Sequence, residues 1–124
     1  MAIGGKRQVE EIESRGVALA DIPDPGTGAA ISAVRSGECQ IVTGGGGETN
    51  TLAAPAYAGQ ILLLTLKTDG GGDRVITVSA SFNAAGNTII TMNDAGDCFC
   101  LMGVHGSAGA LKWSQVWTNG PSLS

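Results

Sequence analysis

From residue 38 to residue 117 the chain alternates apolar runs of strand length with short segments built on glycine or asparagine: "GGGGE", "PAYAG", "TDGGG", "NAAG", "NDAG" and "HGSAG". Glycine reaches positive φ without steric cost, and Asn and Asp bond their own backbone in tight reversals. Strand signals at such short, regular spacing mark an all-β sandwich or barrel. The spacing predicts seven short strands, at 38–43, 49–54, 60–67, 73–80, 87–92, 97–104 and 110–117, arranged as a compact antiparallel β-sandwich or barrel. The twenty glycines follow no three-residue period and sit mainly between the apolar runs, which places them in turns rather than in a collagen.

The strand "QILLLTLK" constrains the packing most. Ile61, Leu63 and Thr65 point to one face, and Leu62, Leu64 and Leu66 to the other. A strand with one face in water alternates apolar with polar residues, so this one is expected at the centre of a sandwich or at a contact between subunits. "DCFCLMGV" repeats the theme, with Cys98, Cys100 and Met102 on one face and Phe99 and Leu101 on the other. Core or oligomer packing is therefore assigned to Ile61, Leu62, Leu63, Leu64, Leu66, Phe99, Leu101, Trp113 and Trp117. Seven short strands make a slender core for a monomer, so a homo-oligomer with closed cyclic symmetry is expected.

The N-terminal quarter reads differently. "KRQVEEIESR" at 6–15 is rich in helix formers, has Val9 and Ile12 three apart, and is followed by Gly16 as a C-cap, which predicts a short helix. "VALADIPDPGTGAAISA" carries Pro23 and Pro25 with Gly26 and Gly28, and reads as an extended arm or linker. The expected organisation is an arm over residues 1–30 and a β domain over 31–124.

Charge narrows the partners. The net charge is −4, and the seven Lys and Arg are scattered, so no basic stripe is available to neutralise phosphates and nucleic acid is a poor partner. The run "ILLLTL" is too short to span a bilayer, so no membrane partner is expected, and "MAIGGKRQVEEIESRG" lacks a signal-peptide hydrophobic region. Three cysteines, Cys39, Cys98 and Cys100, cannot all pair with one another, which fits a reducing cytosol.

Chemistry-bearing patterns are weak throughout. "CFC" puts Cys98 and Cys100 on one strand face, but a zinc site needs about four ligands, and Cys39 and His105 do not stand at ligand spacing. Buried small thiols are the simpler reading. His105, Ser107 and Asp97 are the residue types of a hydrolytic triad without a nucleophile elbow. "TGGGGE" and "DGGGD" resemble phosphate-cradling loops, but strands follow where a helix is needed, so hairpin turns are expected. Asp69, Asp73, Asp94 and Asp97 lack a calcium-repeat period and read as turn residues. Trp113 and Trp117, four apart, are expected on one strand face, as core or subunit contacts or as a sugar platform. No catalytic residue, metal or cofactor is expected.

Four phrases, "DPGTGAAISAVRSGECQIVT", "TNTLAAPAYAGQILLLTLKTDGGG", "NTIITMNDAGDCFCLMGV" and "LKWSQVWTNGPSLS", follow one another in an order that resembles a β-rich module of tailed-bacteriophage virion proteins. "TLAAP" at 51–55, "AGD" at 95–97 and the terminal "KW" and "NG" are its most specific parts. These are turn and packing residues, so they speak to a shared fold more than to a shared partner. The resemblance implies a trimeric structural protein of the virion. Its expected role is a capsid decoration (cement) protein on the capsid surface, assembled in the host cytoplasm and bound to the major capsid protein. The anchoring arm is expected to use Val9, Ile12, Val17, Leu19, Ile22, Pro23 and Pro25. The alternative it implies is a head or tail fibre module that binds host glycan through exposed tryptophans.

Overall fold

The computed structural model describes residues 18–124. The helix expected at 6–15 and the residues Val9, Ile12 and Val17 lie outside the described residues. Ten strands follow: β1 (Ala20–Ile22), β2 (Ala29–Ile31), β3 (Gly37–Val42), β4 (Glu48–Leu52), β5 (Ile61–Thr68), β6 (Arg74–Val78), β7 (Ile89–Met92), β8 (Cys98–His105), β9 (Leu111–Asn119) and β10 (Ser122–Leu123). They form two five-stranded sheets, the first ordered β1-β3-β5-β8-β9 and the second β10-β7-β6-β4-β2. All seven expected strands are present, as β3 to β9, with their ends moved by one or two residues.

The pairing differs from the antiparallel arrangement expected. From β1 to β6 the chain changes sheet at every step. As a result β1, β3 and β5 run parallel in the first sheet, and β2, β4 and β6 run parallel in the second. Antiparallel pairing begins only where the chain turns back, in β6 with β7, β8 with β9, β5 with β8, and β7 with β10. The sheets are therefore mixed. A turn residue reverses the chain, but it does not specify whether the next strand lies beside the last or across the core from it. "GGGGE" and "TDGGG" accordingly form arches between sheets, not the hairpin turns expected.

The segment expected as a linker is also strand-bearing. β1 and β2 are edge strands of the two sheets, and Ile22 and Ile31 enter the core. Burying those two side chains against both sheets outweighs the irregularity introduced by Pro23 and Pro25. Residues 20–22 and 29–31 thus belong to the sheets, and the β domain begins before residue 31.

One core lies between the sheets. Leu62, Leu64 and Leu66 of β5 meet Ile76 and Val78 of β6, together with Phe82, Phe99, Leu101 and Trp113. Phe82 and Phe99 pack edge to face with ring centroids 5.4 Å apart. Cys39 and Ile41 of β3, beside Leu64 and Leu66 in the same sheet, extend this inward layer.

Candidate functional site

The densest polar cluster is built on Arg74. Parallel pairing sets Arg74 of β6 directly beside Glu48 of β4, and both point toward the glycine arches. Arg74 is 1% exposed. Its Nε donates to Glu48 Oε1 at 2.9 Å; Nη1 donates to Asp24 Oδ1 and Asn50 Oδ1, each at 2.7 Å. Nη2 reaches Glu48 Oε1, Asp24 Oδ2 and the Val42 carbonyl. A guanidinium has five N–H donors, and here all of them have acceptors. The loop after β1, β3, β4 and β6 are thereby tied at one point.

The acceptors are held just as firmly. Asp24 also accepts the backbone N–H groups of Gly26 and Val42, at 3.0 Å each, and Asn50 donates to the carbonyls of Gly26 and Ala29. Burial raises the Asp24 carboxyl, but hydrogen bonds from Arg74, Val42 and Gly26 outweigh it and hold the group below its ordinary value. Glu48 is lowered mainly by the Gly44 N–H and then by Arg74. Burial lowers the Arg74 guanidinium, but its two carboxylate partners outweigh that and keep it charged. Every strong donor and acceptor in this cluster is occupied by another part of the chain, so it works as an internal clamp.

The two glycine arches close over the clamp. Gly72 N–H donates to the Gly44 carbonyl at 2.8 Å and Gly70 N–H to Thr43 Oγ1 at 3.1 Å. A Cβ on Gly70 would collide with the Thr43 carbonyl, and one on Gly72 with the Gly46 carbonyl. Glycine is required here for close backbone approach. The arches border an open groove of about 540 Å³ whose side-chain lining is Glu48, Thr49, Asp73 and Val75.

The other chemistry-bearing residues are dispersed. Asp97 precedes β8 and His105 ends it, about 26 Å apart along an extended strand, so the triad residues are not brought together. Asp97 instead accepts the Asn93 and Asp94 N–H groups, and Asp69 accepts that of Gly71, as turn residues do. His105 is exposed, with Nδ1 3.5 Å from the Gly109 carbonyl. Among the described residues, no three of His, Cys, Asp and Glu stand close enough to hold a metal ion. Among them, too, no helix is long and apolar enough to cross a membrane. Cys39 is buried; burial and the Asp24 charge push its thiol up to about 11. Burial also raises Cys100.

The outer face of the first sheet carries the larger apolar side chains. On the second sheet, Ala30, Thr51, Thr77 and Ile89 form one transverse row, and Thr49, Val75, Thr91 and Ser122 the next. Five of these eight residues are Thr or Ser, as on a sheet face turned to water. On the first sheet the corresponding rows are Asp21, Glu38, Leu63, Cys100 and Trp117, then Ile61, Met102 and Ser114 on one side and Gln40, Thr65, Cys98 and Asn119 on the other. Ile61, Leu63, Cys98, Cys100, Met102 and Val104 are half-buried on this face. Of the residues assigned to packing, Leu62, Leu64, Leu66, Phe99, Leu101 and Trp113 face the core, whereas Ile61, Leu63 and Trp117 face outward.

The tryptophans do not share a face. A bulge in β9 skips Val116, so Trp113 opposes Gly103 and points inward while Trp117 opposes Cys100 and points outward. Trp113 is 1% exposed, and its Nε1–H donates to the Ala53 carbonyl at 2.8 Å; Trp117 is 49% exposed beside Val116 at 53%. Sequence spacing could not reveal this, because one extra residue inverts the alternation. Among the arm residues that are described, Ile22 is buried, and Leu19, Pro23 and Pro25 are exposed.

No protein-family model matches the chain, and no curated protein matches it. The resemblance to phage virion modules therefore rests on its quoted phrases alone.

Proposed function

We propose that the chain is a structural protein of a tailed-phage virion, a capsid decoration (cement) protein. In this reading it binds the outer capsid surface as a homotrimer, assembles in the host cytoplasm and stabilises neighbouring major capsid subunits. The observation that carries the reading is the apolar outer face of the first sheet, set against the threonine-rich outer face of the second. A surface of that kind serves packing against protein, and the clamp around Arg74 has no free donor left to offer a substrate. Two sheets enclosing one core are taken as a β-sandwich.

Three copies joined on one particle would hold three weak capsid contacts at high effective concentration, which produces tight retention. Attachment is assigned to the segment preceding β1 together with Leu19, Pro23 and Pro25; Ile22 is occupied by the core. The test is to mix purified protein with undecorated capsids, pellet them, and repeat with residues 2–17 deleted. Co-sedimentation of the full chain and loss of binding by the deletion variant support the reading. Full-length protein left in the supernatant, or a deletion variant that decorates normally, refutes it.

The exposed Trp117 ring favours a second reading, a fibre module that binds host glycan through that single aromatic. A glycan-array signal abolished by Trp117→Ala would support it, and no signal from the wild type would end it.

A further inference from the structure

We infer that the outer face of the first sheet is the contact between copies of this chain, with the acidic margin of one copy set against the basic margin of the next. The inference rests on the homo-oligomer proposed above and names its surface.

The face is ordered from one edge to the other. Asp21 of β1 and Glu38 of β3 form its acidic margin; Leu63 of β5 and Cys100 of β8 occupy the middle of the same row. Ile61 and Met102 lie one row away. On the far side, Lys112 of β9 pairs with Val104, and the bulge leaves Trp117 and Val116 outward at that margin. Interfaces between proteins have this plan, an apolar centre with charge at the rim; Lys67, exposed on this face at the end of β5, lies at that rim too.

The charges select the occupant. Among the described residues, the salt bridges involve only Arg74 with Asp24 and Glu48; Glu38 and Lys112 have no ionic partner there, and Glu38 accepts a hydrogen bond from Gln40. Glu38 and Lys112 are three strands apart and four residues apart along β8, about 19 Å in all. In a cyclic trimer whose first sheets face the axis, the β1 and β3 margin of one copy meets the β9 margin of the next, so acid meets base as the apolar centres pack around the axis. Copies of this chain match both margins at once. The second sheet presents Thr49, Thr51, Thr77 and Thr91 in the corresponding positions, with Val75 and Ile89 between them.

The test uses the full chain, with light scattering for mass and sedimentation for the dissociation constant. Leu63→Glu places a carboxylate in the contact and is expected to weaken association about a hundredfold or more, with circular dichroism unchanged. Glu38→Lys and Lys112→Glu are each expected to weaken it up to about fivefold per contact. The double reversal is expected to recover wild-type affinity, which a role within one copy could not produce at this separation. Cys98 and Cys100 should react with a thiol reagent more slowly in the wild-type oligomer than in Leu63→Glu.

A wild-type oligomer indifferent to Leu63→Glu overturns the assignment of the face and leaves oligomerisation itself standing. A double variant as weak as the single ones overturns the pairing of margins. A wild-type monomer overturns both; slow thiols that become fast on deleting residues 2–17 would then name the chain's own N-terminal segment as the cover. Loss of capsid co-sedimentation with these association results intact counts against decoration alone.

Discussion

Replacing Arg74 with Met tests the clamp most directly, because Met fills much of the same volume while removing the charge and all five donors. Arg74 is 1% exposed, and its loss strands Asp24, Asn50 and Glu48 around an apolar side chain. Removing one partner of a buried ion pair costs about 3–5 kcal/mol. Both carboxylate side chains keep 17% of their surface in water, so the low end, about 3 kcal/mol, is expected. For a chain of this size that is a fall of about 12 °C in Tm. The cost should also depend on pH. In the wild type, Asp24 and Glu48 titrate below their ordinary values of 3.8 and 4.5. Their contribution is fully present above those values and lost as pH falls through the lowered ones. Arg74→Met removes much of that lowering and leaves burial to raise Asp24, so protonation relieves the variant and the gap to wild type narrows toward pH 3. Urea unfolding at pH 7 and pH 3, at one protein concentration, measures both through the midpoint at constant slope. A loss under about 1 kcal/mol at pH 7, or an equal loss at both values, would refute the account of the clamp.

The glycine arches supply a matched pair. Gly72→Ala should lower Tm by several degrees, because its Cβ collides with the Gly46 carbonyl, whereas Gly46→Ala meets nothing within 4 Å and should leave Tm nearly unchanged; equal melting of the two variants would contradict the packed arches. Cys39, with its thiol pushed up to about 11, should stay unreactive toward a thiol reagent at pH 8 until urea unfolds the protein. Trp113 emission, isolated in Trp117→Phe, should resist acrylamide; ready quenching would mean that the β9 bulge does not turn this ring inward.

The strands were legible because their signals are local. Apolar runs and the Gly and Asn between them located β3 to β9 to within two residues, and the double-sided apolar pattern of β5 marked it as central. β1, β2 and β10 are only two or three residues long, too short for alternation to register. They are strands because a neighbour offers hydrogen bonds and the core offers Ile22 and Ile31 a place.

Arg74 and Trp117 show where local reading ends. In the sequence Arg74 is one of seven scattered cations, 26 residues from Glu48 and 50 from Asp24. Only the parallel register of β4 with β6, and the return of the chain after β1, bring the three together. Trp113 and Trp117 have the spacing of one face, and a single extra residue in β9 separates them. Composition and turn chemistry thus decided that this chain is built of short strands around an aliphatic core, since those preferences act over a few residues. The sheet each strand joins, the direction it runs and the face it turns outward depend on contacts between distant segments, which exist only in the folded molecule.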